Sequence, residues 1–397
     1  MSKHITIENH QYFSRTLGGG VGTNTILELV DVFSQIYIVD ITTKKYSEVK
    51  RCLEVDVQVE NVKLWQDNTS LISRLISFVS GDDLNLKFHK REIDYCAGLN
   101  LNITSGNDNI TLLSGGLDSF CGAYRNIHEG HSSHYVSYKN SNKEISSQNS
   151  LTSFLKDQLD GQVNHYKFPR LYVKKTELTQ RTRCLLYLSL AVFTCGKLGI
   201  NSIKVYENGI LSLNPSFKRR DTTKSTHPKT IYLFNLLLIN LDLDIVVDNP
   251  FLFLTKGQII DELNDNFKAN ISLTTTCSSN SQNPYLHGAK HCGFCVPCIL
   301  RKISMTAANL EHLDANYQVK YADKLHETGN KYILNDYRSS LAYFALFKKF
   351  IDDGTIYNYL EIHSSYYNNS NFQEELQAML GRFSKEIEEY FMRYELY

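Results

Sequence analysis

The chain has 397 residues, is 42% hydrophobic, and sets 42 Lys+Arg against 42 Asp+Glu for a net charge of zero. This excludes a disordered chain and argues against a broad nucleic-acid-binding surface, while leaving length for two or three domains. No segment approaches the ~18 consecutive apolar residues of a membrane span.

Residues 1 to about 105 read as an N-terminal α+β domain. The stretch LGGGVG lacks dinucleotide-binding spacing and follows no strand, so it reads as a turn. LELVDVF carries Leu27, Leu29, Val30 and Phe33 at near-helical spacing. In LEVDVQV, Leu53, Val55, Val57 and Val59 alternate with polar residues, the pattern of a half-buried strand. SLISRLISFV reads as a helix ended by Ser80-Gly81, and LNLKFHK as a second strand with Leu84, Leu86 and Phe88 inward.

Residues 106 to about 310 alternate strand-like and helix-like blocks, which predicts α/β with a parallel sheet. NITLL, SHYVSY, SIKVYENG and DIVVDNPF read as strands; SFCGAYRNI, RCLLYLSLAVFTCGKLGI and TKGQIIDEL read as helices. Asn208-Gly209 reads as a turn closing its strand. Residues 311–397 read as a helical C-terminal region, with Ile333, Leu334, Tyr337, Leu341, Phe344, Phe347 and Ile351 at helical period. Leu376, Leu380, Phe383, Ile387, Tyr390 and Tyr394 repeat that pattern. Both stripes read as core, with a partner-docking face as the alternative.

The stretch TLLSGGLDSF holds the strongest signal. A strand ending in glycines and running into a helix presents backbone N–H groups and the positive end of the helix dipole to an anion. Gly115 and Gly116 let phosphate approach the backbone, Ser114 and Ser119 offer hydroxyls, and Leu117 opens the helix. Asp118 would repel phosphate directly; it either holds Mg²⁺ or caps the helix. The lysine and spacing of the Walker loop are missing, which speaks against γ-phosphate hydrolysis and for a pyrophosphate cradle serving chemistry at the α-phosphate of ATP.

The second signal is HCGFCVPCILRK. Cys292, Cys295 and Cys298, with Cys277 upstream, form a set of four thiolates suited to tetrahedral structural Zn²⁺. An iron–sulfur cluster is the alternative, and His291 is an alternative ligand to Cys277. Cys52, Cys96, Cys121, Cys184 and Cys195 read as inert core thiols. The odd count of nine cysteines and the absence of an apolar signal core near the N-terminus point to reduced thiols and a cytoplasmic location.

SGGLDS after a strand resembles the PP-loop of the ATP pyrophosphatases, whose core is a HUP-like parallel sheet. Together with the cysteine spacing, Arg301, RCLLYLSLA and NPFLFLTKGQII, it resembles the QueC family of 7-cyano-7-deazaguanine synthases over roughly residues 108–305. Two departures stand out: Cys184 replaces the family's asparagine, and ENGILSLNPSF replaces its substrate segment. The layout, with added flanking regions, is similar to the longer QueC-like proteins of anti-phage systems, QatC of the Qat system and the QueC-like component of type IV CBASS operons.

The resemblance implies a ligase that uses ATP and Mg²⁺ to adenylate a 7-carboxy-7-deazaguanine-type carboxylate and then joins it to an amine. The amine would be ammonia or, on the defence-protein layout, the N-terminus of a protein partner from the same operon. Lys256 would neutralise the leaving group, and Arg183 would clamp a phosphate or the carboxylate; a surface lysine and an ion-paired arginine are the plainer readings. Arg301 would cap the knuckle or reach the nucleotide. Glu207 and Asn208 would read the deazapurine or serve the turn, and His227 would be a general base or a loop histidine. Neither a membrane nor direct nucleic-acid binding is expected. A tRNA-modifying PP-loop enzyme and a non-catalytic nucleotide-binding module are the competing classes.

Overall fold

The computed structural model describes residues 24–46, 50–91, 108–131, 133–139, 141–169, 171, 173–177, 179–217, 223–277, 288–323, 330–367 and 369–396. LGGGVG and Cys96 lie outside them.

The N-terminal segment is a helix, α1 (Asn24–Thr42), followed by a parallel β-α-β crossover. Strand β1 (Cys52–Val59) leads through α2 (Val62–Asp67) and α3 (Thr69–Ser80) to β2 (Asp83–Lys90). Leu53 pairs with Leu84, Val55 with Leu86 and Val57 with Phe88, so the alternating apolar faces coincide. Cys52 is exposed on the outer face of β1 beside Glu54, not in the core as its apolar neighbours suggested. A side chain one step out of phase with Leu53 must face water.

The second sheet is five-stranded and wholly parallel. Its strands are β3 (Asn109–Leu112), β4 (Ser133–Tyr138), β5 (Asn164–Phe168), β6 (Ser202–Lys204) and β7 (Val246–Asp248), in spatial order β5-β4-β3-β6-β7. The connections after β3 run in opposite directions along the sheet, so the strand order switches between β3 and β6, where α/β sheets open a ligand crevice at their carboxyl ends. Helices α4 (Leu117–His128) and α5 (Asn142–Gln158) join α9 (Lys256–Asp261) and α10 (Asp265–Ala269) in one apolar cluster. Helices α6 (Arg183–Leu198) and α8 (Pro228–Asn240) join the opposite cluster. The latter is continuous with the N-terminal segment: Phe33 of α1 lies 5.7 Å from Phe234 of α8, ring centre to ring centre.

A short helix, α7 (Gly209–Leu213), follows β6. Asn208 is its N-cap, its Oδ1 accepting from the Leu211 amide at 3.2 Å, so Asn208-Gly209 starts a helix where the sequence suggested a closing turn. An Asn-Gly pair serves either purpose, and the next hydrogen bond decides.

The C-terminal part comprises α11 (Val296–Ala307), α12 (Lys331–Asp352) and α13 (Phe372–Arg393). Tyr337, Phe344 and Phe347 of α12 and Leu380, Phe383, Ile387 and Tyr390 of α13 form a third core with the cysteine knuckle. Both helical stripes are therefore packed inward; no helix among the described residues is long and apolar enough to cross a membrane.

Candidate active site and metal centre

The glycine corner follows β3 directly. Gly115 has φ +89°, a conformation that favours glycine, and a Cβ there would lie 3.1 Å from Ser147 and 3.2 Å from the Gln148 amide nitrogen of α5. Gly116 is the N-cap of α4 and supplies no side chain, which leaves the first helical amides without a side-chain cap. Ser114 Oγ lies 3.2 Å from Ser119 Oγ and accepts from the Gly116 amide at 3.3 Å, while Ser119 Oγ donates to the Gly116 carbonyl at 3.0 Å. The two serines brace the corner itself. Gly122, one turn into α4, admits the Tyr206 ring, which a Cβ would meet at 2.1 Å, so α4 lies close to the segment after β6.

Asp118 does not cap its helix. Lys256 Nζ donates to its Oδ2 at 2.5 Å, and Asn208 Nδ2 donates to its Oδ1 at 3.1 Å. Asn208 is fully buried and Lys256 is 1% exposed, which overturns the surface-lysine reading. The burial follows from local structure. Thr255 and Gln258 form a capping box that opens α9, and Lys256 is its first helical residue. A buried cation at a helix N-terminus opposes the dipole, and the Asp118 carboxylate offsets it.

Glu207 adjoins this pair. Its backbone is held from both sides by Asn249, whose Oδ1 accepts from the Glu207 amide at 3.2 Å and whose Nδ2 donates to its carbonyl at 2.8 Å. Burial, then the Asp118 carboxylate, push the Glu207 carboxyl well above the usual range. Two carboxyl groups, a lysine and an amide are thus gathered at the switch point, next to the glycine corner.

Arg183 opens α6 and pairs with Glu144 of α5 at 3.1 Å, the ion-paired arrangement. Glu144 also lines the glycine corner, its carbonyl lying 3.3 Å from where a Gly115 Cβ would stand. Arg183 is thus linked through Glu144 to the turn of α5 that packs on the corner. His227 is buried at the start of α8, its Nδ1 accepting from the Lys229 amide at 3.1 Å and its ring edge-on to Phe78 at 4.9 Å. Burial, then Lys224 and Lys229, push it well below its ordinary value, so it is a neutral helix cap. Its contacts do not join it to Asp118 or Glu207.

The Sγ atoms of Cys277, Cys292, Cys295 and Cys298 all lie within 4.8 Å of one another. Four sulfurs about 2.3 Å from one tetrahedral ion fit that spacing, so the residues suit zinc. Hydrogen bonds from Cys292, Cys295 and Cys298 hold the Cys277 thiol well below its ordinary value. His291 is not among the four; its Nε2 accepts from the Thr276 amide at 3.1 Å. Arg301 is buried against Asp314 at 2.7 Å and donates to Thr274 Oγ1 at 2.7 Å and Thr276 Oγ1 at 3.1 Å, so it holds the segment leading to Cys277. That segment touches the glycine corner: the Thr275 amide donates to the Gly115 carbonyl at 2.9 Å, and Thr275 Oγ1 lies 2.5 Å from Ser147 Oγ.

Four further residues shape the site without being marked in the sequence. Asn249 follows β7 directly, and Glu144, Ser147 and Thr275 carry no motif.

Fold and site together define an α/β protein with a glycine corner at a helix start, a buried Asp–Lys pair beside it and a four-cysteine cluster tied to that corner. Residues 181–309 match the family model described as "Queuosine biosynthesis protein QueC". The match spans about a third of the chain, takes in Arg183, Glu207, Lys256 and the four cysteines, and begins beyond the glycine corner. No curated protein matches the chain.

Proposed function

We propose that the chain is a QueC-like ATP-dependent ligase with a PP-loop, HUP-like core, which adenylates a 7-carboxy-7-deazaguanine-type carboxylate and transfers it to an amine. The observation that carries this reading is the ion pair of Lys256 with Asp118, held by Asn208 beside the glycine corner at the switch point of the sheet. In the first step a substrate carboxylate oxygen bonds to the α-phosphorus and the bond to the β-phosphate oxygen breaks, releasing pyrophosphate. The corner amides and Lys256 stabilise the charge that develops on that pyrophosphate. Asp118 accepts from Asn208 through one oxygen and from Lys256 through the other, so it positions Lys256; Mg²⁺ would accompany the phosphates of ATP. In the second step the amine nitrogen attacks the carbonyl carbon, loses a proton and expels AMP. Glu207 and Asn208 adjoin the place for the deazapurine. Zn²⁺ bound by the four cysteines would hold the Thr275 strap in place.

We further propose that the amine is the N-terminus of a partner protein encoded beside this chain in a cytoplasmic anti-phage system; the support is the layout resemblance alone. The test is to incubate the chain with ATP, Mg²⁺, 7-carboxy-7-deazaguanine and its operon neighbour, then follow pyrophosphate and intact masses. A neighbour gaining one deazapurine acyl mass supports the full proposal. An unmodified neighbour beside free nitrile product reduces it to ammonia-dependent synthesis. No pyrophosphate from any carboxylate overturns it.

A further inference from the structure

The flanking segments outside residues 181–309 converge on the two helix starts that carry the site cations. In α13, Met379, Arg382 and Glu386 form one stripe at helical spacing, and all three face the site from behind. Glu386 Oε1 accepts a hydrogen bond from the hydroxyl of Thr255, the N-cap immediately before Lys256. The same carboxylate closes over Gly257, where a Cβ would stand 2.7 Å from Oε1. Arg382 Nε donates to Gln258 Oε1, the other half of the capping box, at 2.8 Å, and its Nη2 to the Phe253 carbonyl at 3.2 Å. Met379 reaches Gly209, beside Asn208, where a Cβ would meet its methyl at 2.8 Å.

Helix α1 does the equivalent at Arg183. Asp40 Oδ2 accepts from both the amide of Thr182, at 3.1 Å, and its hydroxyl, at 2.8 Å; Thr182 is the N-cap immediately before Arg183. One turn earlier, Tyr37 donates to Gln180 at 2.8 Å. Asp40 is itself fixed through Oδ1 by Arg51 at 2.6 Å, and Arg51 is held by Asp82 at 2.5 Å. A carboxylate at a helix N-terminus is stabilised by the exposed amides and in turn fixes the direction of the first turn.

We propose that Glu386 and Asp40 are positioning residues, each seating an N-cap threonine so that Lys256 meets Asp118 and Arg183 meets Glu144. This rests on the proposed function, in which Lys256 stabilises the leaving pyrophosphate, and adds Arg183 as a phosphate clamp. It gives the flanking segments a role inside the site, beyond any docking surface they offer a partner.

The test uses the full chain, with amide hydrogen exchange read over residues 253–262 and 179–187. Glu386→Ala should raise exchange about tenfold in the first segment only, and Asp40→Ala about tenfold in the second only, since each removes a buried acceptor from an N-cap threonine. Glu386→Gln, whose amide oxygen still accepts from Thr255, should restore protection. In pyrophosphate release, Glu386→Ala should lower kcat about tenfold, because Lys256 acts on charge developing in the transition state, while Asp40→Ala should mainly raise the KM for ATP. If an alanine variant does not fold, Thr255→Val in place of Glu386→Ala, or Thr182→Val in place of Asp40→Ala, removes the hydroxyl hydrogen bond from the other side and carries the exchange measurement. Unchanged exchange, or both segments rising together, overturns the proposal. A wild-type chain that releases no pyrophosphate removes the proposed function, and the exchange pattern still judges whether the two carboxylates seat these helices.

Discussion

Lys256 and Asp118 are buried against one another. Removing one partner leaves an uncompensated charge, so Lys256→Met should destabilise the chain by about 3–5 kcal/mol in urea denaturation. Adding Asp118→Asn should recover most of that stability, because no buried charge is then left alone, while pyrophosphate release stays lost. A double variant no more stable than the single would show that packing, not charge, sets the cost. Glu386 predicts a pH effect. Burial raises its carboxyl from 4.5 to about 7, against the Thr255 hydrogen bond and Arg382, with Glu389 adding a smaller upward push. The native chain therefore keeps a proton that the unfolded chain releases. The stabilisation is complete below about pH 4.5 and is lost as pH rises through about 7, up to about 3 kcal/mol from this group. Glu386→Gln should flatten that slope in denaturation curves taken between pH 5 and 8. Asp118 and the four cysteines are legible from their motifs. The partner of Asp118 is not, since nothing local tells a lysine at a helix start whether it meets water or a carboxylate.

The cysteine knuckle and the glycine corner are one mechanical unit. Thr275 hydrogen-bonds Gly115, Arg301 grips Thr274 and Thr276, and Cys277 ends the same segment. Metal removal should therefore reach the nucleotide site. Cys292→Ser, or chelation, should remove about one zinc per chain by elemental analysis, and structural sites of this kind carry about 10–16 kcal/mol of apparent binding free energy. It should also raise the KM for ATP; an unchanged KM would mean that the strap holds without the ion. At this level the strands β1 and β2, the helix ended at Gly81 and the two C-terminal stripes are readable from periodicity. Helices α5 and α8 are not: α5 is polar along much of its length, and α8 is apolar on nearly every side, so neither shows a clean stripe.

The molecule is tied together by shared cores. The apolar cluster that contains Phe33, Leu53, Val57 and Trp65 also contains Leu186, Val192, Phe234 and Leu237, so the N-terminal segment packs on helices α6 and α8, which cover one face of the five-stranded sheet. Deleting residues 1–91 would open the outer side of those helices to water. The remaining chain should bind a hydrophobic dye and lose a cooperative thermal transition. A shortened chain that melts cooperatively would show that the sheet carries its own core.

Features set by neighbours in the chain could be read directly: alternating strands, the glycine corner between a strand and a helix, and thiols at metal-ligand spacing. Their physics is local, a matter of backbone geometry and side chains a few residues apart. The pairing of Asp118 with Lys256, the burial of Glu207 beside them and the seating of two helix starts by Asp40 and Glu386 came from packing. Each is a buried charge or hydrogen bond between segments far apart in the chain, and its partner exists only once the cores have closed around it.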